Sequence, residues 1–193
     1  MPTILSHAIA ATALGQWYPN RRLPAKFWLW TTVCALLPDV DVIGFPLGIR
    51  YDDMLGHRGL MHSLAFAALT GAVAAVMYRR GSPDESRPFP LPPSPFPLKL
   101  AVYFTAIIAS HGLLDALTNG GRGVACFAPF SNHRFFFPWR PIQVSPIGVG
   151  FFSARGLAVL QSELRWILLP SVIIALLARM RVRLKPDTTG TRE

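Results

Sequence analysis

Charge and cysteine are both scarce in this chain. Of its 193 residues, 15% are Asp, Glu, Lys or Arg, against about a quarter in an ordinary soluble domain. With 51% apolar residues, that deficit argues against a soluble globule and for a protein built into a bilayer. There are two cysteines, Cys34 and Cys126, and no Cys-x-x-Cys pair, which excludes a cysteine zinc knuckle. Cys34 lies inside an apolar run and reads as a small buried side chain. Acidic residues number 10 against 19 basic ones, a formal net charge of +9. In a soluble protein that excess would suggest nucleic acid as partner. Here the basic residues gather at the ends of apolar runs, as the positive-inside rule expects, so direct nucleic-acid binding is not expected. No basic residue precedes the first apolar stretch, and a cleavable signal peptide is not expected. The chain shows no internal repeat, and its length suits one compact domain.

What is present is a series of apolar segments: Pro2 to Trp17, Phe27 to Leu37, Leu60 to Tyr78, Leu98 to Leu117 and Leu164 to Ala178. They predict an all-α fold, an integral membrane helical bundle of about four to five helices with a long loop before the last one. The first two segments are short against the roughly 20 residues that cross the hydrocarbon. Trp28 and Trp30 are placed like interfacial anchors. Pro38 is expected to end the second segment, and Ile43 to Leu55 reads as a loop. Gly81 to Pro97, rich in proline, reads as a flexible linker. Arg122 to Glu163 interleaves aromatics with arginines and reads as a lid or rim. Its arginines suit an anionic substrate and lipid headgroups equally. Residues 1–180 form the expected single domain, and 181–193 a basic tail expected to be disordered.

Ionisable side chains recur at one end of these segments. Ser6-His7 opens the first; Pro38-Asp39-Val40-Asp41 closes the second. Gly56-His57-Arg58-Gly59-Leu60-Met61-His62-Ser63 leads into the third, and His111 and Asp115 lie near the end of the fourth. Spacing of i and i+4 puts His111 and Asp115 on one helix face. Neutral imidazoles and carboxylates are ligands for zinc and other divalent cations, and a histidine inside a span is costly without a partner. The candidate metal ligands are His7, Asp39, Asp41, His57, His62, His111 and Asp115, holding one or two ions, zinc being expected. Asp39, Asp41 and Arg58 are the candidate catalytic groups, the aspartates as ligand or base and the guanidinium as anion holder. His133 and Glu163 lack supporting spacing and read as ordinary polar residues. If the basic groups at Arg21, Arg22 and Lys26, at Arg79, Arg80, Arg87 and Lys99, and in the tail are cytoplasmic, the metal-site residues all fall on the outer face.

These motifs, in this order, resemble the YdjM-like family, from the N-terminus to about Gly123 to Pro138. The resemblance implies an inner-membrane-associated, metal-dependent hydrolase described as LexA-binding. A more distant similarity, to zinc-dependent phospholipase C and the S1/P1-type nucleases, rests on an early histidine, an aspartate, a histidine and a His-x-x-x-Asp pair. It implies a phosphoester or lipid-like substrate and lets Asp115 bridge two metals. The expected function is a multi-pass hydrolase of the bacterial inner membrane that uses metal-activated water. The alternatives are a non-catalytic adaptor for a LexA-type protein, using the basic tail, and a metal or proton transporter, which would need a polar path across the bilayer.

Overall fold

In a computed structural model, residues 1–18, 23–81, 97–146 and 148–184 are described. Helix α1 spans Ile4–Gly15, α2 Ala25–Leu36, α3 Leu64–Arg80, α4 Leu98–Ala116, α5 Ala154–Glu163 and α6 Leu169–Leu184. Thr3 caps α1, its side chain accepting from the Ser6 N–H. Ser63 caps α3 in the same way through the Phe66 N–H; both satisfy helix-end donors that would otherwise be orphaned. No sheet forms among the described residues. Two isolated bridges, Thr118 with Ile142 and Val124 with Phe135, tie down the long connection between α4 and α5.

Among the described residues, three helical stretches are long and apolar enough to cross a membrane: Ala25–Leu47, Leu98–Ala116 and Ala154–Arg181. α1, at 12 residues, reaches only about 18 Å. The outward faces carry Leu29, Val33, Leu69, Val73, Val102, Val172, Ile173 and Leu176; a surface so apolar suits lipid and not water. Inside, the half of the bundle remote from the histidines is an aromatic and alanine core. Phe27 stacks on Tyr103 at 4.9 Å between centroids, Phe104 meets Tyr78 edge-on at 6.0 Å, and Ala74, Ala75 and Ala101 fill the rest.

The structure departs from the sequence reading in several places. Pro38 does not end the second helical stretch. It continues as a 3-10 helix over Leu37–Leu47 with the proline in its first turn, where a missing N–H costs little. Asp39 and Asp41 therefore sit on a helical turn and are buried, and are not solvated loop residues. The last helix starts at Ala154, not Leu164. Arg155, Gln161 and Glu163 made that stretch read as polar, yet Val159 and Glu163 face inward. α5 then passes through a π turn, Leu164–Leu168, into α6, next to Pro170, which has no N–H to give to a regular helix. α6 runs on to Leu184, into the segment read as tail. The linker residues 82–96, the turn residues 19–22 and the tail residues 185–193 lie outside the described residues.

Candidate metal centre

α1 and α3 begin at the same end of the bundle at which α2 and α4 finish, and that end collects the ionisable groups. His7 comes from the first turns of α1, Asp39 and Asp41 from the 3-10 extension of α2, His57 and Arg58 from the loop before α3. His62 lies on a 3-10 turn, Leu60–His62, just ahead of α3, where the sequence reading had put the start of the helix. His111 and Asp115 come from the last turns of α4. All eight side chains are buried, Asp39 being the most open at 8% and Arg58 and Asp115 fully closed.

Within this set, Asp39, His62, His111 and Asp115 each offer a ligand atom, all within 4.8 Å of one another. His111 Nε2 lies 3.2 Å from Asp39 Oδ1, His62 Nε2 lies 3.7 Å from the same oxygen, and His62 Nε2 lies 3.4 Å from Asp115 Oδ2. Those separations match a tetrahedral shell, whose edges are about 3.4 Å for bonds of about 2.0–2.1 Å. The atoms are near enough to attract, yet none of these approaches has hydrogen-bond alignment. His111 Nε2, His62 Nε2 and both carboxylate oxygens of Asp39 and Asp115 are buried without a hydrogen-bond partner. Buried polar atoms normally have one. A shared cation would satisfy all of them together.

The groups around these four hold them in place. His111 Nδ1 is 2.7 Å from the Ala35 carbonyl oxygen, which fixes the ring with Nε2 directed at Asp39. Asp41 Oδ1 meets His57 Nδ1 at 2.7 Å, and Oδ2 accepts the Arg58 backbone N–H at 3.1 Å. The same Oδ2 lies 3.1 Å from His62 Nδ1, although alignment there falls short of a hydrogen bond. Asp41, His57 and His62 make a second group close enough to hold an ion. His7 stands just beside the first group. Its ring stacks on His111 at 3.6 Å, its Nε2 lies 3.7 Å from Asp115 Oδ1, and neither ring nitrogen is hydrogen-bonded.

Arg58 faces inward, toward Asp115. Its Nε lies 3.0 Å from Asp115 Oδ2, Nη1 donates to the Gly120 carbonyl and Nη2 to Thr118 Oγ1. Its φ of 63° is left-handed, a conformation that costs a bulky residue energy and tends to mark functional sites. Gly121, itself at φ +86°, leaves room for the guanidinium; a Cβ there would press on Nη1. Gly56 packs against the carbonyl oxygens of Arg50 and Tyr51, where no side chain fits. The α4–α5 connection stitches this loop down. Arg134 donates to the carbonyls of His57 and Tyr51, each at 2.9 Å, and Ala125 N–H to that of Arg58. Arg122 pairs with Asp52. The connection thus does form a rim, but these two arginines are engaged with the protein itself. Arg140 and Arg155 are exposed. His133 is exposed and packs on Phe135, away from the donor group.

With Arg58 as the only guanidinium among Asp39, Asp41 and Asp115, the closed site carries two surplus negative charges when its histidines are neutral. Buried net charge of that size is costly without compensation, and a divalent ion would supply it. Without an ion, burial disfavours a charged His62, but Asp115, Asp39 and Asp41 outweigh it and push its pKa up to about 10.

Residues 1–186 match the YdjM inner membrane protein family. The chain belongs to that family. Inner membrane protein YbcI of Escherichia coli (strain K12) is 32% identical over 175 residues, covering 90% of this chain and 95% of the relative. No solved structure matches, so the likeness to zinc phospholipase C rests on motif order alone. Together with the three apolar spans, membership makes this a multi-pass protein of the inner membrane.

Proposed function

We propose that this family member is a membrane-embedded, metal-dependent hydrolase with one divalent cation held by Asp39, His62, His111 and Asp115. The observation that carries the reading is the set of buried imidazole and carboxylate atoms that converge without bonding to each other. Two nitrogen and two oxygen donors suit zinc. A bound ion there supplies Lewis acidity and an activated water. Asp41 orients His62 and His57. Arg58 balances the charge of Asp115 and holds it in place, so an anionic substrate meets other cations first. His7 Nε2 is the adjoining group free to accept a proton or serve as a further ligand. The substrate class is a phosphoester or lipid-like ester, in keeping with a site at a bilayer edge and with exposed Arg140 and Arg155 at that end. Lys26, Arg79, Arg80, Lys99, Arg179 and Arg181 lie at the opposite end, which supports a cytoplasmic basic face and an outer metal site.

The transporter alternative needs a polar path through the bundle. The remote half is closed by Phe27, Phe104 and alanines, which favours the hydrolase. The adaptor alternative draws on Lys185 to Glu193, outside the described residues, and its test is deletion of that tail. The hydrolase reading is tested by metal analysis and turnover of a chromogenic phosphodiester in detergent. Wild type should carry about one equivalent of zinc and turn over; His111→Ala with Asp115→Ala should do neither. Equal, negligible metal in both removes the metal centre. Bound metal without turnover removes the hydrolase on that substrate class.

A further inference from the structure

Four carboxylates are buried among the described residues, and three of them, Asp39, Asp41 and Asp115, lie in or beside the donor group. The fourth is Glu163, 2% exposed, at the end of α5 where the π turn begins. It reaches across 160 residues of sequence to the start of α1. Oε1 accepts the Thr3 backbone N–H; Oε2 accepts the hydroxyls of Thr3 at 2.7 Å and Ser6 at 2.9 Å. Thr3 is the residue that caps α1, and its carbonyl accepts the backbone N–H of His7 at 3.2 Å. One buried carboxylate therefore fixes both residues that define the first turn from which His7 projects. The His7 ring nitrogens have no hydrogen bond of their own. Only the pose of this turn and the stack on His111 hold the ring beside Asp115.

We propose that Glu163 is a positioning residue of the metal centre, clamping the first turn of α1 so that His7 presents Nε2 to the ion next to Asp115. The proposal rests on the metal-centre reading above. It requires Glu163 to act through His7 and not merely to dock α5 on α1. Outer-sphere partners of metal sites typically change affinity by about 10–100-fold when removed.

The test uses full-length protein in detergent with Co²⁺ alone as probe, read by its visible d–d absorption and by titration. Glu163→Gln should weaken Co²⁺ binding about tenfold and shift the absorption envelope. In a His7→Ala background the same substitution should change neither. Wild-type affinity and spectrum in Glu163→Gln, with only a lower melting temperature, would show a purely structural clamp and overturn the proposal. Fully additive effects of Glu163→Gln and His7→Ala would overturn it too. If Glu163→Gln does not fold, Ser6→Ala removes one of the three donors and is judged by the same criteria. Wild type that takes up no Co²⁺, or His111→Ala that keeps it, would remove the metal centre itself. Co²⁺ bound by wild type, lost in His111→Ala and indifferent to Glu163 would remove this inference alone.

Discussion

The two ends of the bundle are closed by opposite means. At one, Phe27, Tyr78, Tyr103 and Phe104 fill space and ask nothing of one another beyond fit. At the other, Asp39, His62, His111 and Asp115 are equally buried, yet the atoms they turn toward one another make no hydrogen bond. Packing, with the Tyr103 hydroxyl bonded to Thr31, explains the first end. The second could be balanced by a charged occupant, because burying carboxylates without hydrogen bonds is costly. A fold that tolerates such a cluster at one end needs a sound core at the other.

If the ends are independent in this way, comparable damage to each should differ in kind. Asp115→Ala strands the Arg58 guanidinium in a closed interior and should cost roughly 3–5 kcal/mol, with loss of bound zinc. Phe104→Ala leaves a cavity worth a similar loss, about 3–5 kcal/mol, but should keep its zinc. Unfolding in mixed micelles, with metal content measured alongside, separates the two; loss of zinc in Phe104→Ala would merge them. A smaller effect is expected from Asp41→Asn, which keeps the shape but weakens the hold on His57 and His62. Zinc affinity should fall about 10–100-fold with the metal stoichiometry unchanged, as read by competition with a chelating dye. An unchanged affinity would show that His62 is aligned without Asp41.

A separate effect is in pH. His62 is raised from 6.5 to about 10, so its protonated form stabilises the metal-free fold fully below about pH 6.5, and that contribution is lost as pH climbs through about 10. A cation must take the place of that proton, so zinc affinity should climb over the same interval. Melting temperatures with and without zinc should therefore draw apart between pH 6.5 and 10. A constant gap would mean that no proton is displaced from His62.

The helical membrane bundle was legible in the sequence, and so, in part, was the gathering of ionisable groups at one end of it. His111 and Asp115 could be placed on one face from their spacing alone, and the motifs around His7, Asp39 and His62 each sit at the end of an apolar run. Chain reversal then brings alternate ends together. The inward course of the Arg58 side chain was not legible, because it depends on a left-handed backbone at 58 and on contacts with Thr118 and Gly120. Nor was Glu163, whose partners lie 160 residues upstream and whose neighbours Arg155 and Gln161 lend the segment a solvated look. The signal available was a lone acid followed directly by an apolar helix. The 3-10 course of Leu37–Leu47 was hidden because a proline followed by two aspartates usually marks an exit into solvent.

The wide turn at Leu164–Leu168 has a bearing on how this helix tolerates change. A regular helix advances about 100° per residue, so one extra residue accommodated in a π turn rotates everything upstream relative to everything downstream. Shortening that stretch by one residue would let the hydrogen-bond ladder close evenly while swinging the inner face of α5 toward the acyl chains. The irregularity works as a phase shifter, keeping Val159 and Glu163 before it and Ser171 and Ala178 after it on the buried side of one rod.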